Sequence, residues 1–249
     1  MPAQKTEMLL VKGILDAERP PIIKINGRSI RMRQAIRYLG VHLERGLKII
    51  RHVQKIAHKC QKLFSSLPSV ANAKWGLGHA ALYMRTLYKG LYEPITTNAT
   101  AGWSDLLNGK TRRMLIRLHR MALLRVTKAC RTISTEAFQV IAGVISIDLL
   151  VEVRARDYKK KKGRDEASDE RTIVREAIEK WQERWQKTPK GRTTFEYFDS
   201  IKKIVSLENR CVRPHHDMTQ FISGHGDFNS KLKTFRPSEV DTCHEVDTR

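Results

Sequence analysis

The chain has 249 residues, 41% of them hydrophobic, enough for a core in one large or two modest domains. Its 47 Lys and Arg face only 26 Asp and Glu, and the resulting net charge of +21 implies a polyanionic partner or a compact state working against its own repulsion. Four scattered cysteines without a CxxC pair exclude a disulfide framework and fit a reducing, intracellular compartment; the stretch Met1 to Gly13 carries no signal-peptide core, and no run of about 18 apolar residues offers a membrane span.

In chain order, residues 6–11 read as a short apolar strand. Past Pro20 and Pro21, Ile22-Ile23-Lys24-Ile25 meets Asn26-Gly27, a two-residue hairpin signal, and a return strand passes through Ile30 and Met32. Tyr38-Leu39-Gly40-Val41 reads as another short strand, so the first 43 residues predict a small β-rich edge. From Arg45 the period changes. Ile49, Ile50, Val53, Ile56, Ala57, Cys60, Leu63, Phe64 and Leu67 step by one, three and four along one helical stripe, which Pro68 stops. A second helix is expected over about 75–92, ending before Pro94. A third should run from a cap at Ser104 or Asp105 to Thr127, with Leu107, Met114, Leu115, Leu118, Met121 and Ala122 inward.

Ser134 and Glu136 open a short helix that Gly143 stops. Ser146 caps the next, about 147–162, which finishes on Lys159 to Lys162; cations there also suit the helix dipole, so the run need not be functional. The polar stretch 163–170 is the best linker. Ile173, Val174, Ala177, Ile178, Trp181 and Trp185 then form an amphipathic helix stopped at Pro189, and weak helices follow near 196–206 and 217–222. The fold read from these elements is mainly α with a small β edge.

The charge is concentrated. Residues 1–164 hold 32 Lys and Arg against 10 Asp and Glu, whereas 165–249 hold 15 against 16. The first long helix shows Lys48, Arg51, His52, Lys55, Lys59 and Lys62 opposite its apolar stripe, and the third shows Lys110, Arg112, Arg113, Arg117 and Arg120. Helices that bury one face and present cations on the other can line a nucleic-acid backbone; a solvated surface is the plain alternative. Trp103, Trp181 and Trp185 read as core.

No catalytic pattern stands out. A P-loop, GxGxxG and a Ser/His/Asp signature are missing, and the few carboxylates of the basic region form no pair able to hold two metal ions. A zinc site drawn from Cys211, His215, His216, His225, Cys243 and His244 is a weak candidate, because the ligand pairs lack the usual spacing. Gly224-His225-Gly226 suggests a tight turn.

At Ala129-Cys130-Arg131-Thr132-Ile133-Ser134-Thr135-Glu136-Ala137, continuing to Ala142-Gly143 and Ile147-Asp148-Leu149, the sequence resembles the segment after the polymerase in non-LTR (LINE-type) retrotransposon proteins, closest to the insect type-1 elements that insert into ribosomal DNA. Lys5-Thr6-Glu7 resembles polymerase motif D. Pro21-Ile22, Ile25, Gly27, Ile30 and Tyr38-Leu39-Gly40-Val41 resemble the run into motif E; Tyr88 to Trp103 resembles a Tyr-x-x-Pro…Gly-x-x-Trp block; Trp181, Trp185, Gly191-Arg192-Thr193 and Gly224-His225-Gly226 resemble the tail. Asn98-Ala99-Thr100 departs from the expected Tyr-Gly-Ala, Ser146 from the usual Pro, and Cys130 from the usual Tyr. Cys243-His244 begins a Cys/His knuckle with no further Cys or His in the five residues after His244.

The resemblance implies an RNA-directed DNA polymerase as parent, with an endonuclease and Mg2+ in the full-length protein, acting by target-primed reverse transcription in the nucleus. This chain would follow the catalytic aspartates and hold none of them: 1–43 the end of the palm, 44–130 a helical thumb, 131–163 a helical connector, and 164–249 a carboxy-terminal region with the truncated knuckle. Lys5 would be the motif D lysine, with Tyr38, Leu39 and Gly40 the primer-grip turn. Lys48, Arg51, Lys55, Lys59, Lys62, Arg112, Arg113, Arg117, Arg120 and Arg131 are the candidate contacts to an RNA template and DNA primer. A stand-alone helical, basic nucleic-acid-binding protein without catalysis is the alternative, and a basic module for an acidic protein or membrane surface is a third possibility.

Overall fold

The structure is a computed structural model and describes residues 6–12, 22–66, 86–127, 130–163, 169–206 and 216–225. It is mainly α with short strands at the amino end, as the periodicity predicts. Lys5, Pro68, Cys211, His215, Cys243 and His244, which the sequence singles out, lie outside the described residues, as do the first part of the second helix, residues 164–168 of the linker and Gly226.

Strand β1 (Met8–Leu9) pairs in parallel with β3 (Arg28–Arg33), and β3 pairs antiparallel with β2 (Ile22–Ile25) in the order β1-β3-β2. The turn between β2 and β3 is Asn26-Gly27, both left-handed at φ 48° and 74°, the conformation that matches the twist of two-residue hairpins. A separate hairpin joins β4 (Ala35–Tyr38) to β5 (Val41–Glu44). Tyr38 to Val41 is therefore a reversal of direction instead of one strand: Leu39 and Gly40 take φ 45° and 88°, and the glycine tolerates what alternation could not register.

Helix α1 (Ile50–Ser66) buries Val53, Ile56, Cys60 and Phe64, the expected stripe, and starts after a 3-10 turn at Arg45–Leu47. The second helix does not stop before Pro94. A π-helical turn (Tyr88–Tyr92) leads into α2 (Glu93–Thr97), and the Glu93 N–H reaches the Tyr88 carbonyl five residues back. Proline at the first turn of α2 needs no N–H, so the chain runs through it. Helix α3 (Gly109–Thr127) begins later than read: Asn108 Oδ1 accepts from the N–H groups of Lys110 (3.1 Å) and Thr111 (3.0 Å), while Ser104–Leu106 form a separate 3-10 turn. Met121, read as inward, is exposed.

Helix α4 (Thr135–Ala142) has the predicted ends. Ser134 Oγ accepts from the Ala137 N–H at 3.1 Å, and Gly143 at φ 62° lets the Val144 N–H return to the Gln139 carbonyl. Helix α5 (Ile147–Lys161) begins after Ser146, whose hydroxyl does not cap it but binds Asp148. Asp169 Oδ1 accepts from the Glu170 N–H at the start of α6 (Glu170–Lys187). Then come α7 (Arg192–Tyr197), α8 (Ile201–Ser206) and α9 (His216–Ser223), and Cys130 Sγ reaches back to the His225 carbonyl at 3.3 Å.

One buried cluster runs from Val41 to Ile204 and takes in Trp103, Trp181 and Trp185, the tryptophans read as core. At its centre His119 of α3 is fully enclosed. The Ile147 N–H donates to His119 Nδ1 (3.3 Å), so the proton sits on Nε2, which donates to the Tyr88 hydroxyl (2.8 Å). Tyr88 and Tyr92 stack at 4.9 Å beside the imidazole.

Gly191 closes the other end of this core. Its φ is +75°, and a Cβ there would stand 2.8 Å from Ser134 Oγ, 3.1 Å from Ala137 Cβ and 3.3 Å from Trp185 Cη2. Gly191→Ala combines left-handed strain with overpacking between α4 and α6. A loss of about 2 kcal/mol is expected in urea unfolding; an unchanged midpoint would contradict this close approach.

Candidate nucleic-acid interface

Helix α1 places Lys55, Lys59 and Lys62 on its exposed side, with Lys48 just before it. Lys48, Lys55 and Lys59 have no carboxylate partner among the described residues, whereas Arg51 leans on Glu44, which accepts from the Arg51 backbone N–H at 2.9 Å and lies 3.4 Å from its guanidinium. Below the lysines, His52 is buried against Trp103 with ring centroids 5.3 Å apart. Burial, then the charges of His42 and Lys59, hold its pKa down to about 4.

Helix α3 divides its arginines. Arg113 and Arg117 are exposed and make no ion pair among the described residues. Arg112 points the other way and donates to Asp148 (3.0 Å) and Glu152 (3.2 Å) on α5. Arg120 donates to the Arg131 carbonyl (2.6 Å) and Thr135 Oγ1 (3.1 Å) and lies over the Phe138 ring at 4.8 Å. Arg112 and Arg120 thus hold the fold together, and Arg131, itself exposed, contributes its carbonyl to that work. Ile116 between them is partly buried, and that apolar residue in the 112-116-120 row is the signal that this ridge packs against neighbours.

Sequence reasoning missed the group that Arg112 joins. Asp148 is buried with its side chain 1% exposed. It accepts from Ser146 Oγ (2.5 Å), from Arg112, and from Arg184 Nη1 of α6 with both oxygens (3.1 and 2.9 Å). Burial alone would raise its pKa; the Ser146 hydrogen bond and the two guanidiniums outweigh it and hold the carboxyl below its ordinary value. This ties α3, α5 and α6 together.

The β4–β5 tip stands out from the surface, with Tyr38 63% and Leu39 81% exposed. A Cβ on Gly40 would come 3.7 Å from Asn98 Nδ2, which puts the tip over the 98–103 loop. In that loop Ala99 takes φ 54° where the resembled pattern has glycine, and Asn98 offers its carbonyl to Trp103 Nε1 at 2.9 Å.

The lysine run ending α5 is not a free patch. Lys159 pairs with Asp105 (2.7 Å), Lys160 with Asp169 (3.3 Å) and Lys161 with Asp157 (2.8 Å). His225 Nδ1 lies 2.7 Å from the Ser223 carbonyl. Among the described residues no three His, Cys, Asp or Glu are grouped to hold a metal ion, and no helix is long and apolar enough to cross a membrane.

Over 236 residues the chain is 33% identical to a Retrovirus-related Pol polyprotein from type-1 retrotransposable element R1 4 of Nasonia vitripennis, covering 89% of this chain and 59% of that protein. The chain is a homologue of insect R1 retrotransposon Pol polyproteins. This R1 Pol homologue is also 29% identical over 258 residues to an R1 Pol polyprotein of Bradysia coprophila, and 30% identical over 259 residues to the Putative 115 kDa protein in type-1 retrotransposable element R1DM of Drosophila melanogaster. It spans 25% of each of those two proteins and 97% and 96% of itself. No family model matches the R1 Pol homologue, and no solved structure matches it significantly.

Proposed function

We propose that this chain grips the template–primer duplex for a retrotransposon reverse transcriptase during target-primed synthesis in the nucleus. The observation that carries the reading is the cationic face of α1, where Lys48, Lys55 and Lys59 lack carboxylate partners among the described residues while Arg112 and Lys159 to Lys161 are neutralised within the fold. Charges left unpaired on a packed helix favour a phosphate backbone, which releases counterions when it binds. The exposed Arg113 and Arg117 extend the same property to α3, and the Tyr38-Leu39-Gly40 tip offers an apolar ridge against a primer strand.

Polymerase and endonuclease chemistry, and Mg2+, are proposed for the parent protein. The described residues hold no carboxylate group fit for the ion, so no step through it is derived for them.

The test is binding of an RNA–DNA hybrid across a salt series. Reversing Lys55, Lys59 and Lys62 to Glu is expected to weaken binding at least about tenfold and to lower the log–log salt slope by about three, while circular dichroism stays unchanged. Equal affinity and slope in the variant would remove α1 from the interface.

A further inference from the structure

Beside the Arg51–Glu44 contacts, the β4–β5 hairpin meets α1 at a link between histidines: the His42 N–H donates to His52 Nδ1 (3.4 Å), and the two rings lie 6.4 Å apart. Arg37 stands directly across the ladder from His42. Lys55 and Lys59, one turn apart on α1, complete the group. Partial burial, then the charges of Arg37, Lys55 and Lys59, lower the His42 pKa below 6.5, so all three cations are close enough to be felt there.

The ionisable groups around His42 are therefore Arg37 from β4, His52, Lys55 and Lys59 from α1, and Glu44 from its own strand. Glu44 is engaged with Arg51. No carboxylate among the described residues pairs with Arg37, Lys55 or Lys59. His52 Nε2, which carries the ring proton because Nδ1 accepts, is a buried donor without an acceptor among the described residues. Arg37, across the ladder from His42, and Lys55 and Lys59, one turn apart on α1, are like charges that repel one another and disfavour a further charge on His42. Such a cluster is relieved by an anion, and an anion with several oxygens can accept from all its members at once.

We propose that Arg37, His42, Lys55 and Lys59 form a phosphate site whose occupation draws a proton onto His42. The site rests on the proposed function only for the source of the phosphate, the backbone of a nucleic-acid strand. A bound phosphate replaces the local repulsion with attraction, so the imidazolium becomes the favoured form. Between the free and bound titration midpoints, binding takes up one proton, and affinity rises as pH falls.

The test follows the His42 Cε1 proton by NMR in the full chain, with inorganic phosphate against chloride at equal ionic strength, and with a short RNA–DNA hybrid. The titration midpoint is expected to rise by about one pH unit with either phosphate source, and to rise less in the Lys55→Gln, Lys59→Gln variant. Hybrid affinity is expected to increase up to about tenfold from pH ~8 to pH ~6 in the parent chain and to stay flat in His42→Gln. A midpoint that is the same in chloride, phosphate and hybrid overturns the site. A rise with the hybrid alone supports the site and assigns it to a strand. A rise with inorganic phosphate while the hybrid fails to bind keeps the site and sinks the reading of function.

Discussion

Asp148→Ala is expected to cost about 3 kcal/mol or more in urea unfolding. The carboxylate is buried and receives hydrogen bonds from Ser146, Arg112 and Arg184. Its loss leaves two guanidiniums facing each other and the Ser146 hydroxyl without its acceptor, a situation that costs about 3–5 kcal/mol when both partners are buried. Here the Arg112 and Arg184 side chains are 36% and 42% exposed, so water softens the loss toward the lower figure. Removing Arg184 as well should restore part of the stability, because the repulsion between guanidiniums goes with it. A double variant no more stable than Asp148→Ala would show that the two groups do not interact. Protonation acts in the same direction: with a depressed folded-state pKa, the stability Asp148 contributes is present above 3.8 and is lost as pH falls below it.

The second large effect is acid unfolding at milder pH. Burial holds His119 down to about 3 against the opposing pull of Asp148, and holds His52, with the help of His42 and Lys59, down to about 4; both start from 6.5. Between these limits the unfolded chain binds protons that the folded chain refuses, so stability rises with pH. It is complete above 6.5 and falls below it, by up to about 3 kcal/mol for each histidine at pH ~4. Together these losses rival the whole stability of an ordinary domain, about 5–15 kcal/mol. Unfolding free energies measured near pH ~5 should change by about 2.7 kcal/mol per pH unit, with uptake of about two protons. A flat profile there would mean that both imidazoles are protonated in the folded chain, and a slope half as steep that one of them is.

Local patterns carried the fold a long way. The stripe of α1, the Ser134 and Gly143 ends of α4 and the Asn26-Gly27 turn each depend on residues within a few positions of one another, and the structure has all three. The misreadings have local causes too. Pro94 looks like a stop unless the preceding turn widens, and Asn108 competes with Ser104 and Asp105 as a cap. The site was less legible. Arg112 and Arg113 are neighbours in sequence and point to different surroundings, which only the partner helix decides. Asp148 sits 36 residues from each of its arginines, a separation with no periodic trace. Arg37 and His42 leave no trace of this kind either, because their proximity to Lys55 and Lys59 arises from a hairpin folding onto a helix.

The pairing of Lys159, Lys160 and Lys161 with carboxylates of their own reaches beyond α5. Formal charge overstates the field this molecule casts, because part of it is cancelled in place, while Lys48, Lys55 and Lys59, the outer Arg113 and Arg117 of α3, and Arg37 make no ion pair among the described residues. Such lopsidedness amounts to a large electric dipole moment. A polyanion drifting in from any direction exerts a torque that turns the α1 side to meet it, so fewer encounters are wasted on wrong orientations and the on-rate itself becomes sensitive to ionic strength.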